Sequence, residues 1–279
     1  MLRNTSSCLV KLSQPSEIAL NVQLSSANKS TRQKQKLKTL TKYVQQHPSG
    51  WKKRLELADV LYETGSWTEA IAEYYQVLER QPQLIDIRLK LGKILQLIAK
   101  KTEAIEVYQQ TLTLCSNTAT NHHIRGLIAI CKTQYQQAIQ NFKLAIAAEP
   151  ENPAHWLVLG QVHLELENTL GALEAFEQIL VLEPEDLIAL IYIHDALIAL
   201  SKFAEAEAIL NLAEETAPND YTVLTRRLAT RLRLKLVFGK EGKQTKKMVT
   251  TLLKLAPHSV NAHQLKDHYY FLREESTKA

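Results

Sequence analysis

Five prolines that recur at whole multiples of 34 residues constrain the fold of this 279-residue chain more than any other feature. They are Pro48, Pro82, Pro150, Pro184 and Pro218, and Ser116 occupies the one position of the series that lacks a proline. A proline disfavours helical backbone at the residue before it, so each one is expected to separate two helices. A fixed period of this length indicates a stack of similar helical units rather than a body built around one core.

Three further positions repeat with the same period when the units begin at residues 51, 85, 119, 153 and 187. The eighth position holds Ala58, Gly92, Gly126, Gly160 and His194, the twentieth Ala70, Ala104, Ala138, Ala172 and Ala206, and the twenty-fourth Tyr74, Tyr108, Phe142, Phe176 and Leu210. A small residue lets two antiparallel helices approach closely, and a bulky residue one turn later fills the space between them. The pattern therefore predicts paired helices, with a turn near the fifteenth position of each unit.

Residues 153–186 show the pattern most fully, as Trp156-x2-Leu159-Gly160-x2-His163, then Ala172-x3-Phe176, then Pro184. This segment resembles the tetratricopeptide repeat and departs from it at His163, where the family usually has an aromatic residue. The resemblance implies an all-α fold, a right-handed superhelix of antiparallel helix pairs. Five repeats are expected, at 51–84, 85–118, 119–152, 153–186 and 187–220.

The two ends of the chain follow the pattern less closely. Residues 1–30 are expected to be a mobile lead-in with a weak helix at 16–24, and residues 31–50 a capping helix or a degenerate repeat. Residues 221–279 are expected to form a divergent basic repeat and a capping helix, because terminal repeats are commonly atypical. Helices are expected at about 221–238, 245–255 and 260–273, with a loop at 239–242 and Ser259 as an N-cap.

In tetratricopeptide repeat proteins the first helix of each repeat, helix A, lines a concave groove that holds a peptide. When the groove positions of the family are transferred to this sequence, the residues at them are mostly aliphatic from the third repeat onward. The predicted contact residues are Leu127, Ile130, Leu157, Gln161, Leu164, Ile188, Ile191, Asp195 and Ile198, with Gln161 and Asp195 orienting the partner. An exposed apolar stripe favours a covering partner, either an amphipathic helix or an extended peptide. The alternative is that tight curvature or the C-terminal helices cover the stripe.

Charge is strongly segregated along the chain. Residues 1–50 carry a net charge of +7, residues 51–220 carry −11 and residues 221–279 carry +9. A basic patch that attracts phosphates or an acidic partner is predicted at Arg226, Arg231, Arg233, Lys246 and Lys247. Nucleic acid is a disfavoured partner, because no aromatic residues interleave with these bases and the neighbouring repeats are acidic. The alternative is a solvated helix end.

Other classes of site lack their sequence signals. The nine histidines show no metal-binding spacing, and no GxSxG, Walker or GxGxxG motif occurs, so no metal, cofactor or catalytic site is predicted. Cys131 falls at a groove position without a flanking base. Three cysteines without CxxC spacing, and no apolar run long enough for a signal peptide or a bilayer span, predict a cytoplasmic protein.

The leading functional hypothesis is therefore a non-catalytic scaffold or assembly factor that binds another protein in the apolar groove. Two alternatives stay open. One is an adaptor that binds nucleic acid or an anionic partner through the basic C-terminal helices, and the other is a regulatory module that recruits the substrate of an enzyme. The sequence makes no prediction of oligomeric state.

Overall fold

The computed structural model describes residues 30–257 and 259–275, and every regular element within them is an α-helix. The helices are α1 Ser30–Gln46, α2 Trp51–Glu63, α3 Trp67–Arg80, α4 Ile85–Leu97, α5 Lys101–Leu114, α6 Thr118–Cys131, α7 Tyr135–Ala148, α8 Pro153–Glu165, α9 Thr169–Leu182, α10 Leu187–Ala199, α11 Phe203–Thr216, α12 Tyr221–Arg233, α13 Gly239–Leu255 and α14 Val260–Glu275. The predicted all-α architecture is confirmed. The weak helix expected at 16–24 lies outside the described residues.

The chain divides into two compact units, an N-terminal unit of residues 28–184 and a C-terminal unit of residues 185–279. The first contains α1 to α9, and the second contains α10 to α14. None of the described helices has the length and apolar content needed to cross a bilayer.

Three helix pairs of the N-terminal unit pack through the small and bulky positions predicted from the sequence. A Cβ added at Gly92 would lie 2.2 Å from the ring of Tyr108, and one added at Gly160 would lie 2.4 Å from the ring of Phe176. Both rings are fully buried. Helix A therefore needs glycine here, because its backbone lies directly against an aromatic ring from the second helix of the repeat, helix B.

The turn between helix A and helix B is the same in every repeat. One residue in it has a positive φ, and these residues are spaced by 34: Gly65, Ala99, Thr133, Glu167, Ser201 and Lys235. The next amide closes the helix end by bonding the carbonyl five residues back, for example Gln134 to Ala129 at 2.8 Å. The turn predicted near the fifteenth position is thus confirmed.

The prediction for the sixth repeat was wrong in two respects. Helix α12 ends at Arg233 rather than near 238, and the expected loop at 239–242 is the first turn of α13. The extra residues of this repeat lengthen helix B to 17 residues, while helix A keeps its 13. Gly242 is buried in the first turn of α13, where an added Cβ would lie 2.2 Å from the Val237 carbonyl oxygen. It takes the place that alanine has in the first turn of the other B helices.

The last helix agrees with its prediction. It covers Val260–Glu275, and the amide of Ala262 donates to Ser259 Oγ at 3.2 Å, which confirms Ser259 as the capping residue. The hydroxyls of Tyr221 and Ser259 are 2.6 Å apart, so the same serine joins α12 to the start of α14.

Candidate partner-binding groove

The groove residues predicted in the N-terminal unit lie on α6 and α8, which are the A helices of consecutive repeats. Leu127 and Ile130 follow His123 at steps of four and seven, so the three residues share one face of α6. Leu157 and Leu164 share one face of α8 in the same way. The imidazoles of His123 and His155 hold the two helices side by side, with Nδ1 atoms 2.9 Å apart.

The groove is less exposed than the sequence predicted. Leu127, Ile130, Leu157, Gln161 and Leu164 are all only half-buried or half-exposed, and the first two pack partly against the core. The more exposed large apolar side chains of this region lie instead on B helices and turns: Leu144, Leu166, Leu170 and Val181. The predicted residues therefore form a partly covered apolar face rather than a fully exposed apolar stripe.

A cavity of about 440 Å³ opens where the first turns of three A helices meet. Its lining includes Asp86 and Leu89 of α4, Thr120 and His123 of α6, and Ala154 and His155 of α8. Five of these six residues occupy the second or fifth position of their repeat. Three consecutive repeats thus present equivalent groove positions to one space.

The ionisation of the cavity histidines follows from their burial. His123 is 9% exposed, and burial, with smaller contributions from His155 and Lys93, lowers its pKa to about 3. Burial also lowers the pKa of His155, against an opposing effect of Glu149. Both rings are therefore neutral at neutral pH, and a single proton is shared between their Nδ1 atoms.

Glu149 decides which ring carries that proton. Its carboxylate accepts from the side-chain amides of Asn117, at 2.7 Å, and Asn152, and these bonds lower the pKa of Glu149. The carboxylate lies 3.5 Å from His155 Nε2, too far for a good hydrogen bond but close enough to favour a proton on that nitrogen. We infer that His155 Nδ1 accepts from His123 Nδ1, which leaves His123 Nε2 as a bare acceptor.

Two ion pairs that sequence reasoning missed join the A helices of neighbouring repeats. Lys90 binds Asp59 at 2.8 Å, and Arg226 Nε donates to Asp195 at 2.8 Å. In both cases the acid is at position nine of one repeat and the base at position six of the next, 31 residues later. That spacing was visible in the sequence and was the signal that could have predicted both pairs.

Two of the four groove residues predicted in the C-terminal unit, Ile191 and Asp195, need correction. Ile191 is 0% exposed, and Ile188 and Ile198 are half-buried. Burial alone would raise the pKa of Asp195, but the charge of Arg226 and hydrogen bonds from His194 and Arg226 lower it to about 2. Ile191 and Asp195 therefore serve the packing of this unit and are not available to a partner.

Several side chains of the predicted basic patch already have partners within the protein. Arg226 is bound to Asp195, and Arg231 donates to Thr245 Oγ1 at 2.9 Å and to Glu241 at 2.5 Å. The guanidinium of Arg233 lies 4.4 Å from the centre of the Phe203 ring. Of the predicted set, Lys246 and Lys247 are exposed and form no ion pair with another residue that the structure describes.

Within residues 30–257 and 259–275, no group of three or more His, Cys, Asp or Glu side chains is arranged to hold a metal ion. Cys131 is buried and takes part in a 2.8 Å contact with Gln96 Nε2, and burial raises the pKa of its thiol. A raised pKa keeps the thiol protonated, which is the unreactive form.

Comparison with protein families gives matches to two repeat models. Residues 58–98 match a model described as TPR repeat, and residues 126–185 and 163–221 match one described as Tetratricopeptide repeat. Among curated proteins, the human cilia- and flagella-associated protein 70 is 31% identical over 99 residues, which is 36% of this chain and 9% of the human protein. The chain thus spans less than a tenth of the length of this relative.

Solved structures show the same fold. A tetratricopeptide repeat protein from Parabacteroides merdae superposes with a TM-score of 0.59 at 15% identity, over 92% of this chain and 99% of that one. A thermophilic TPR protein from Thermus thermophilus gives a TM-score of 0.58 at 19% identity, over 66% of this chain and all of that one. Repeats of this kind build protein–protein interaction scaffolds. This chain belongs to the tetratricopeptide repeat family, as its 34-residue period, its glycine–aromatic helix pairs and its matches to two repeat models show.

Proposed function

We propose that this protein is a non-catalytic scaffold or assembly factor whose N-terminal unit binds a helix or an extended peptide of another protein along α4, α6 and α8. The observation that carries the proposal is the 440 Å³ cavity, to which three consecutive repeats present the same groove positions. A surface built from equivalent positions of successive repeats suits a partner that is itself a regular, elongated segment.

The chemistry of this face favours a partner with apolar side chains and hydrogen-bond donors. Leu127, Leu157 and Leu164 offer partly exposed apolar surface that gains from further burial. At the cavity, the Asp86 carboxylate is exposed and the inferred tautomer gives His123 an acceptor nitrogen. Amide, hydroxyl or basic groups of the partner would satisfy both acceptors, whereas a carboxylate would be repelled.

The proposal is tested with peptides selected from a displayed library against the wild-type protein. Affinity of a selected peptide is then measured by fluorescence anisotropy for the wild type, for Leu157→Glu and for Val181→Glu. Val181 is the matched control, because it is 73% exposed on a B helix of the same repeat. We expect Leu157→Glu to weaken binding about tenfold or more, since a buried charge opposes the apolar contact, and Val181→Glu to leave it unchanged.

Circular dichroism and thermal melting establish that both variants remain folded. Equal affinities for the wild type and for folded Leu157→Glu would contradict the proposal. So would a library that gives no binding peptide.

A further inference from the structure

Helix α13 carries a row of free lysines in the C-terminal unit. Lys240, Lys243, Lys246, Lys247 and Lys254 are all exposed, and none lies within ion-pair distance of a carboxylate among the described residues. At 100° per residue the five side chains fall within an arc of about 120°, and they extend over about 21 Å of the helix. They therefore form one continuous cationic strip, the lysine face.

The lysine face points away from the core of its own unit. The buried residues of α13 are Gly242, Thr245, Val249 and Leu252, on the opposite side of the helix. The one acidic residue of α13, Glu241, is bound by Arg231. The positive charge of the strip is therefore not offset within its own helix.

Two large apolar side chains are exposed just before α13 in the chain. Leu234 is 60% exposed and Phe238 is 43% exposed, and both belong to the short segment that leads into α13. Phe238 directly precedes the helix, so Lys240 and Lys243 follow it within two turns. A solvated helix face accounts for the lysines, and Leu234 and Phe238 add exposed apolar surface in the segment that joins this helix.

We propose that the Leu234–Phe238 segment and the lysine face together dock on the surface of an anionic lipid bilayer. Leu234 and Phe238 enter the boundary between headgroups and acyl chains, and the lysines lie over the negative headgroups. Interfacial binding combines apolar insertion with electrostatic attraction of basic residues, and the two features occur together here. Nucleic acid is less well suited, because Phe238 is a single ring rather than a row of stacking side chains, and nucleic acid offers no apolar layer for Leu234.

This inference goes beyond the proposed scaffold function and uses a different unit of the chain. A lipid-docked C-terminal unit would present a partner bound by the N-terminal unit at a membrane surface. Neither property requires the other, so each can fail alone.

The test is sedimentation of the full chain with phosphatidylcholine vesicles, with and without phosphatidylserine. We expect sedimentation only with the phosphatidylserine vesicles, decreasing as salt is raised. Substitution of Lys243, Lys247 and Lys254 by Glu should weaken partitioning more than about tenfold. Leu234→Ser with Phe238→Ser should weaken it by about tenfold at constant charge.

The control changes the net charge equally on the other unit, by substitution of the exposed Lys34, Lys36 and Lys38 of α1 with Glu. It should retain nearly all of the binding. Loss equal to that of the α13 variant would show an unspecific charge effect and overturn the proposal. So would undiminished vesicle binding after the Leu234 and Phe238 changes, or failure of the folded wild type to sediment with either vesicle.

Discussion

The two units of this chain differ in how helix A meets helix B and in how deeply the ion pair between consecutive A helices is buried. In the N-terminal unit, glycine at the eighth position meets an aromatic ring at the twenty-fourth, in three successive repeats. In the first repeat of the C-terminal unit these positions hold His194 and Leu210. There the side chains of Asp195 and Arg226, both largely buried, join consecutive A helices.

The comparison teaches how a repeat array can vary in function without losing its fold. Glycine–aromatic packing stabilises the helix pair from inside and leaves the groove face of helix A half-exposed. Where the largely buried pair of Asp195 and Arg226 and the fully buried Ile191 occupy that face, these positions stabilise the unit instead. The same position in a repeat can therefore be part of the proposed binding face in one unit and of the core in the other.

The largest expected effect comes from breaking the ion pair of the C-terminal unit. Arg226→Met would leave Asp195, whose side chain is 14% exposed, without its main partner. We expect the free energy of unfolding to fall by about 3 kcal/mol in urea titrations, since an unpaired buried charge is costly. Lys202→Met is the control, because the side chains of Lys202 and Glu205 are 46% and 59% exposed and the change should cost less than about 1 kcal/mol. Equal effects would mean that Asp195 is well solvated.

A smaller effect is expected from the glycine–aromatic contact of the N-terminal unit. Gly160→Ala places a Cβ about 2.4 Å from the Phe176 ring. Overpacking of about 1–3 kcal/mol should exceed the gain of at most about 1 kcal/mol from the helix propensity of alanine. Urea unfolding should therefore show a net decrease in the free energy of unfolding. Gly160→Ala should cost less when it is made in the Phe176→Leu variant than when it is made in the wild type. A stabilised single variant would contradict this packing.

The smallest expected effect is a pH dependence of stability caused by His123. Its pKa is lowered from 6.5 to about 3, so below pH 6.5 the unfolded chain binds a proton that the folded chain does not. Stability is then greatest above pH 6.5 and decreases as the pH falls toward 3, by about 1–2 kcal/mol between pH 6.5 and 5. Chemical unfolding at several pH values should show this slope in the wild type and in the exposed-site control His47→Gln. The slope should be smaller in His123→Gln, and an unchanged slope there would exclude His123 as its cause.

The regular part of the fold was predictable because each structural requirement is encoded in its own residue type. Prolines mark the ends of repeats, and small and aromatic residues mark where helices touch, so the paired helices from α2 to α11 follow from the period. Among the turns between helix A and helix B, only the first carries a glycine, Gly65, that signals its positive φ. At Thr133 or Glu167 the geometry of the helix hairpin imposes a positive φ on a residue with an ordinary side chain. Gly239 and Gly242 were misread as a loop, since glycine marks both turns and close backbone approaches.

The candidate site was predictable in part. Family register identified Leu127 and Leu157 as groove residues, but not how far the core would cover them. The burial of Ile191 was signalled by α10 itself, which is apolar on nearly all sides and therefore typical of a buried helix. The contact of His123 with His155 depends on how two repeats pack against each other, and no local pattern encodes it.

The most direct test of the central claim, that the A helices of the N-terminal unit bind the partner, is hydrogen exchange of the full chain with and without a selected peptide. The account predicts slower amide exchange on binding in residues 85–97, 118–131 and 153–165, and no change in the B helices at 135–148 and 169–182. Protection confined to the B helices or to the C-terminal unit, with the three A helices unaffected, would contradict it.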